Sequence, residues 1–109
     1  MQIIYDSAIG KKKEFKPLKE NAVSIYLCGP TVQSQPHIGH IRSAIAFDII
    51  YRWFTYSGFR VKYIRNITDI NDKIFATAEN EKSTWWAVSS KYANAFRDSY
   101  KALGCVDPT

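Results

Sequence analysis

The chain has 109 residues, of which 46% are hydrophobic and 15% aromatic, so a disordered segment is excluded and one packed domain is expected. It contains no run of about 18 apolar residues, which excludes a membrane span, and its two cysteines, far apart in the sequence, do not make a disulfide framework. The net charge of +5 suits an anionic partner such as ATP or RNA without identifying one. The N-terminus shows no secretory signal, and we expect a reducing, cytoplasmic location.

The N-terminal region predicts little regular structure. Residues 2–5 could form a short strand, and residues 11–20 are a charged connection broken by Pro17. The lysines at 11–13 favour a solvated loop, with contact to an RNA backbone as the alternative.

A strand followed by a long helix is predicted next. Residues 23–27 are β-branched or aromatic and alternate in character, and Gly29 and Pro30 end the strand. The helix is predicted over residues 40–57, with Gly58 as its stop. Its apolar residues recur at every fourth position and predict a largely buried helix packed against a sheet. They are Ile41, Ile45, Ile49 and Trp53.

The rest of the chain predicts one strand and two helices. Residues 59–65 alternate and predict a strand that pairs in parallel with residues 23–27 through a right-handed crossover. A short helix follows over residues 73–80, with Asp69 as its candidate N-cap. Ser83 or Thr84 caps the last helix, and Trp85 and Trp86 are interpreted as packing residues rather than base-stacking ones. One face of that helix carries Val88, Tyr92, Phe96, Tyr100 and Leu103.

The loop between the first predicted parallel strand and its helix carries one thiol and two imidazoles, those of Cys28, His37 and His40. In α/β folds this position is a crevice for phosphate-bearing ligands, because unpaired helix N–H groups favour anions. Since parallel strands end on one side of a sheet, Asn66 and Thr68 could lie in the same crevice, although the local sequence alone favours ordinary turn and cap roles for them.

The residue types alone leave several chemistries open. Cys28 could be a zinc ligand or a nucleophile, but its spacing from the histidines favours an inert buried thiol. The paired histidines are interpreted as hydrogen-bond donors to phosphate, with Gly39 permitting close approach. The alternative is one capping histidine and one core histidine.

Four segments in this order and spacing resemble the N-terminal part of cysteinyl-tRNA synthetases, most closely the actinobacterial branch. They are residues 28–32, 37–40, 46–48 and 65–73. The chain departs from the common pattern at residues 33–36 and at Asn71. The resemblance implies a class I, Rossmann-like α/β catalytic domain with helices on both faces of a parallel sheet. Residues 1–109 would be its first half, and the rest of the catalytic domain and an anticodon-binding domain would lie beyond Thr109.

The resemblance also implies roles for individual residues. Cys28 matches the first of four zinc ligands, with the other three beyond Thr109, and His37 and His40 match the catalytic signature that contacts ATP. The positions that match the nucleotide and adenylate pocket are Gly29, Pro30, Thr31, His37, Gly39, His40, Ser43, Asn66, Ile67 and Thr68.

The function implied by the resemblance is activation of L-cysteine by ATP with Mg²⁺ to cysteinyl-adenylate, followed by transfer to tRNA(Cys), in a cytoplasmic monomer. Residues 1–109 alone are expected to be inactive. Two alternatives remain: the cysteine ligase of mycothiol biosynthesis, which uses no tRNA, and a non-catalytic half-domain that binds nucleotide or RNA.

Overall fold

The computed structural model describes residues 2–109 and has the α/β character that the sequence predicts. In chain order, its elements are β1 (Ile3–Asp6), β2 (Lys11–Glu14), β3 (Ala22–Leu27), α1 (Ile38–Tyr56), β4 (Arg60–Arg65), α2 (Asp72–Asn80) and α3 (Trp85–Ala102). Strands β1 and β2 pair antiparallel, and β3 and β4 pair in parallel across α1. None of the helices in residues 2–109 is long and apolar enough to cross a membrane.

The charged segment after β1 is a strand, so the loop predicted for residues 11–20 is wrong over Lys11–Glu14. The backbone of β2 pairs with β1, while its side chains stay in solvent. Asp6 stabilises the hairpin through a 2.8 Å ion pair with Lys13 and a hydrogen bond from the Ala8 amide. Because this pairing depends on a partner strand, the local charge pattern of the lysines could not reveal it.

The parallel pair β3–β4 is buried on one face. Val23, Leu27 and Tyr63 are buried on that face, whereas Tyr26 and Ile64 on the other face are exposed. Parallel strands normally have both faces covered, so the residues of the open face are ones that a larger α/β sheet would cover.

Helix α1 packs on the sheet with a different face from the one predicted. Ala44 and Phe54 are its buried residues, whereas Ile45, Ile49 and Trp53 are exposed. The expectation of a largely buried helix is therefore wrong. A spacing of four residues overshoots the helical turn of 3.6, so a stripe drawn at every fourth position rotates steadily out of the core.

The caps of α2 and α3 come from short polar side chains. Asn71, rather than the predicted Asp69, caps α2 by accepting from the Lys73 amide at 3.0 Å. Thr84, one of the two predicted candidates, caps α3. The carbonyl of Asp69 instead accepts a hydrogen bond from the Ser89 hydroxyl, which ties the start of α2 to α3.

The core lies mainly where α3 meets α1 and α2. Four of the five predicted α3 residues are buried, but Leu103 follows the end of the helix and is exposed. Trp85 packs against the core while Trp86 is 60% exposed, so the packing role holds only for Trp85. The buried cluster consists of Val32, Ala44, Ile74, Ala78, Val88, Tyr92, Ala93, Phe96 and Tyr100.

Asp48 and Arg52 of α1 hold the segment that follows α3. Asp48 accepts from the Val106 amide and pairs with Arg52, each at 2.8 Å, and Arg52 donates to the Gly104 carbonyl. The pair therefore fixes the end of α3 against α1, which places the aromatic residues of α3 beneath the site described next.

Candidate functional site at the carboxyl ends of the parallel strands

The loops that leave β3 and β4 continue the parallel pairing beyond the strands. Thr31 and Thr68 form a parallel bridge, in which the Thr68 amide donates to the Pro30 carbonyl at 3.0 Å and the Val32 amide to the Thr68 carbonyl at 3.1 Å. Val32 is fully buried. The two loops are therefore held together as a rigid wall rather than left free in solvent.

Gly29 and Asn66 form the tightest contact in this wall. The Gly29 amide donates to Asn66 Oδ1 at 2.6 Å. A Cβ atom added at Gly29 would lie 1.7 Å from the Asn66 carbonyl oxygen. Only glycine fits at this position, because the obstructing atom belongs to the backbone and cannot rotate away.

The two histidines form the start of α1. His37 is the N-cap, and its Nδ1 accepts from the Gly39 amide at 3.1 Å. His40 reaches back, so that its Nδ1 accepts from the His37 amide at 3.2 Å. Because both Nδ1 atoms are acceptors, each neutral ring carries its proton on Nε2. The capping box thus leaves two Nε2–H donors for a ligand.

The His40 ring is held from both sides. It stacks on the His37 ring with centroids 3.8 Å apart, and the ring of Phe96 meets it edge-on at 4.9 Å. Burial, and secondarily the nearby His37, lowers the pKa of His40 from 6.5. His40 is therefore a neutral hydrogen-bond donor at neutral pH.

This pKa predicts a pH dependence of stability. The unfolded chain takes up the His40 proton near pH 6.5, before the folded chain does, so the free energy of unfolding is expected to fall as the pH is lowered through the interval below 6.5. Urea denaturation across that interval measures the effect. The control is His40→Gln, which keeps a capping-box acceptor but does not titrate. Equal pH slopes for the two proteins would contradict the assignment.

A hollow of about 170 Å³ lies between the loop wall and the start of α1. The residues that line it are Leu27, Cys28, Gly29, Pro30, Gly39, His40, Ser43, Ala44, Arg65 and Tyr100. The exposed Cys28 and the partly buried His40 thus share one cavity.

The remaining predicted site residues lie around the hollow rather than in its lining. His37 is exposed and stacks on the outer side of His40. Thr31, Asn66 and Thr68 form the wall behind it through backbone and amide contacts. Ile67 lines a separate cavity against α3.

Four lining residues were not predicted as site residues from the sequence: the apolar Leu27 and Ala44, and the polar Arg65 and Tyr100. Arg65 directly precedes Asn66, and its position at the end of a parallel strand was a usable signal. Tyr100 follows the apolar period of α3 and is indistinguishable from a core residue in the sequence.

Cys28 is a free, exposed thiol, which suits one position of a tetrahedral zinc site. Within residues 2–109 there is no group of three or more His, Cys, Asp or Glu side chains that could hold a metal ion. The donors present therefore fit one zinc ligand, and a complete site would need ligands from outside these residues.

A parallel strand–helix–strand unit, with a hollow at the strand ends and free donors at a helix start, is the arrangement at which α/β folds commonly bind phosphate groups. Comparison with known proteins specifies its family. The family described as "tRNA synthetases class I (C) catalytic domain" matches residues 14–109, and the chain belongs to it.

Named relatives agree with this family. Over 106 residues the chain is 50% identical to a cysteine–tRNA ligase of Streptomyces coelicolor, 51% to that of Streptomyces avermitilis and 49% to that of Bifidobacterium longum. The aligned residues cover 97% of this chain but 17%, 23% and 19% of those proteins. The chain thus spans about a fifth of the length of the curated relatives it matches.

Proposed function

We propose that the chain is the N-terminal part of the catalytic domain of a cysteine–tRNA ligase, which activates L-cysteine with ATP and Mg²⁺ and transfers it to tRNA(Cys). The observation that carries the proposal is the shared hollow of Cys28 and His40 at the start of α1. The names of the relatives supply the amino acid and the tRNA.

In this proposal the capping box orients the catalytic groups. The Nε2–H groups of His37 and His40 donate to phosphate oxygens of ATP, where negative charge grows as the amino-acid carboxylate attacks the α-phosphorus. Gly39 keeps the helix start free of a side chain, so a phosphate can approach the backbone. Ser43 lies one turn further along α1 in the same hollow, where its hydroxyl is available to the bound ligand.

Cys28 is proposed to hold zinc together with ligands from beyond Thr109. Bound zinc would supply an open position for the substrate thiolate, a bond that serine does not match. The thiol of Cys28 is exposed and lines the hollow, which supports a substrate orientation with the side chain at the strand end and the carboxylate toward α1.

The proposal is tested by replacing the matching segment of the Streptomyces coelicolor relative with residues 1–109. The chimera is expected to catalyse cysteine-dependent pyrophosphate exchange and to charge tRNA(Cys). The same chimera with His40→Ala is expected to lose at least about 100-fold in exchange, the usual effect of removing a transition-state donor. Residues 1–109 alone are expected to show neither activity and to lose zinc on mild chelation, so stoichiometric zinc retention would contradict the assignment of ligands.

The assay also separates the two alternatives. Exchange without tRNA charging would favour the cysteine ligase of mycothiol biosynthesis. No exchange from a folded chimera, with its melting temperature close to that of the parent, would favour a non-catalytic nucleotide-binding or RNA-binding module.

A further inference from the structure

Arg65, the last residue of β4, extends into the wall of the hollow. Its Cγ lies 3.3 Å from the point that a Gly29 Cβ would occupy, so the side chain passes directly beneath the Gly29 loop. Its guanidinium carbon lies 4.2 Å from the centroid of the Tyr100 ring, a cation–π contact. The side chain is therefore fixed at both its stem and its head.

Arg65 has no carboxylate partner among the described residues on the side of the hollow, although it also lines the neighbouring cavity against α3, whose lining includes Asp98 and Asp107. Within the part of the chain that the structure describes, it is the one Arg or Lys that lines the hollow, and no Asp or Glu lines it. The ion pairs among residues 2–109 join Asp6 to Lys13, Asp48 to Arg52 and Glu81 to Lys91, and none includes Arg65. Burying part of a guanidinium without a carboxylate partner costs free energy, and a bound anion would offset that cost.

Helix α3 holds Arg65 and His40 in the same way, each through contact with one buried aromatic ring. Phe96 packs against the His40 ring and Tyr100 lies under Arg65, and the two aromatic rings are 6.0 Å apart. Both rings are almost fully buried, at 1% and 6% exposure. Because the platform is rigid, the cation is held in place before a ligand arrives, which lowers the entropy cost of binding.

We propose that Arg65 binds the oxyanion of the ligand in this hollow, through two N–H donors directed at a phosphate of ATP or at the carboxylate of the amino acid. The inference rests on the proposed function and adds a binding residue to it. Guanidinium groups match carboxylate and phosphate oxygens with two parallel hydrogen bonds. Since His40 is neutral, Arg65 supplies the fixed positive charge of the site.

The test titrates the chimera described above, which carries residues 1–109, with two ligand pairs that differ in their anion, ATP against adenosine and cysteine against cysteamine, and measures the dissociation constants by calorimetry. Arg65→Gln is expected to weaken ATP, cysteine or both at least about tenfold, the effect of losing a charge-assisted hydrogen bond. The affinities for adenosine and cysteamine are expected to stay within twofold. Loss for ATP alone assigns the phosphate, and loss for cysteine alone assigns the carboxylate.

Two further variants control for charge and folding. Arg60→Gln removes the same charge at the opposite, exposed end of β4 and is expected to leave all four affinities unchanged. Arg65→Lys keeps a charge and a long stem and is expected to bind the anionic ligands with intermediate affinity. Arg65→Lys also supplies the test if Arg65→Gln does not fold.

Three results would overturn the inference. Wild-type affinities for ATP and cysteine in Arg65→Gln would remove the role of Arg65 while leaving the proposed function intact. Equal losses for the charged and uncharged member of each pair would show a purely structural residue. If the chimera with Arg65 intact binds none of the four probes, the nucleotide and amino-acid sites proposed for this hollow fail as well.

Discussion

Gly29→Ala is expected to destabilise the chain by about 3 kcal/mol or more, the upper end of the usual cost of overpacking. The added Cβ would lie 1.7 Å from the Asn66 carbonyl oxygen and 2.9 Å from its carbon. Relief requires the two loops to separate, which would break the hydrogen bond from the Gly29 amide to Asn66 and the Thr31–Thr68 bridge. Urea denaturation followed by circular dichroism measures the change.

Gly39→Ala is the matched control for this substitution. A Cβ at Gly39 would lie 2.9 Å from Cε1 of the exposed His37 ring, so that ring must shift and its capping hydrogen bond weakens, but the Cβ meets no backbone atom of another segment. We expect a loss of about 1 kcal/mol, because a weakened cap costs about 0.5–2 kcal/mol and the preference of a helix for alanine over glycine offsets part of it. If the two alanine variants were equally stable, the close approach of the loops would be refuted.

Phe96→Ala is expected to cost about 3–5 kcal/mol, the typical loss for a buried phenylalanine. Phe96 is 1% exposed and contacts both the His40 ring and the Tyr100 ring. The same substitution is expected to raise the pKa of His40 toward 6.5, because water entering the cavity removes the burial that lowers it. Denaturation and an NMR titration of the His40 ring measure the two effects.

Phe75→Ala separates the role of Phe96 from a general loss of an aromatic ring. Phe75 lies on α2, is 44% exposed and contacts Trp85 rather than either histidine. We expect a loss of about 1 kcal/mol, as is usual for a partly exposed side chain, and no change in the pKa of His40. A Phe96→Ala protein with an unaltered His40 titration would show that α3 does not shape the site.

Local patterns predicted much of the architecture. The alternation of residues 23–27 and 59–65, with a long helix between them, was sufficient for the parallel strand–helix–strand unit. The sequence also predicted Thr84 as one of two candidate caps and most of the buried face of α3. Both predictions succeed because capping and helical period depend on neighbouring residues. The motif segments were sufficient for the family.

The candidate site depends both on residues that are neighbours in the sequence and on contacts between distant segments. Parallel pairing brings the loops after β3 and β4 together at the same edge of the sheet. For this reason the sequence alone could place Cys28 and Asn66 at that edge. The reciprocal capping of His37 and His40 involves only neighbouring residues. The sequence nevertheless did not decide between two phosphate-binding histidines and the alternative of one capping and one core histidine. Arg65 was not predicted as a site residue because its position in the hollow depends on contact with Tyr100, which lies 35 positions away on α3.

The sequence by itself determined the order of the two parallel strands and the three helices, the family and the chemical groups at the strand ends, since these depend on neighbouring residues and on recognisable motifs. The tertiary structure decided which face of α1 is buried, that the lysine run pairs as β2, and which side chains share the hollow. These features arise from contacts between distant segments, whose packing selects one arrangement among several that the local pattern allows.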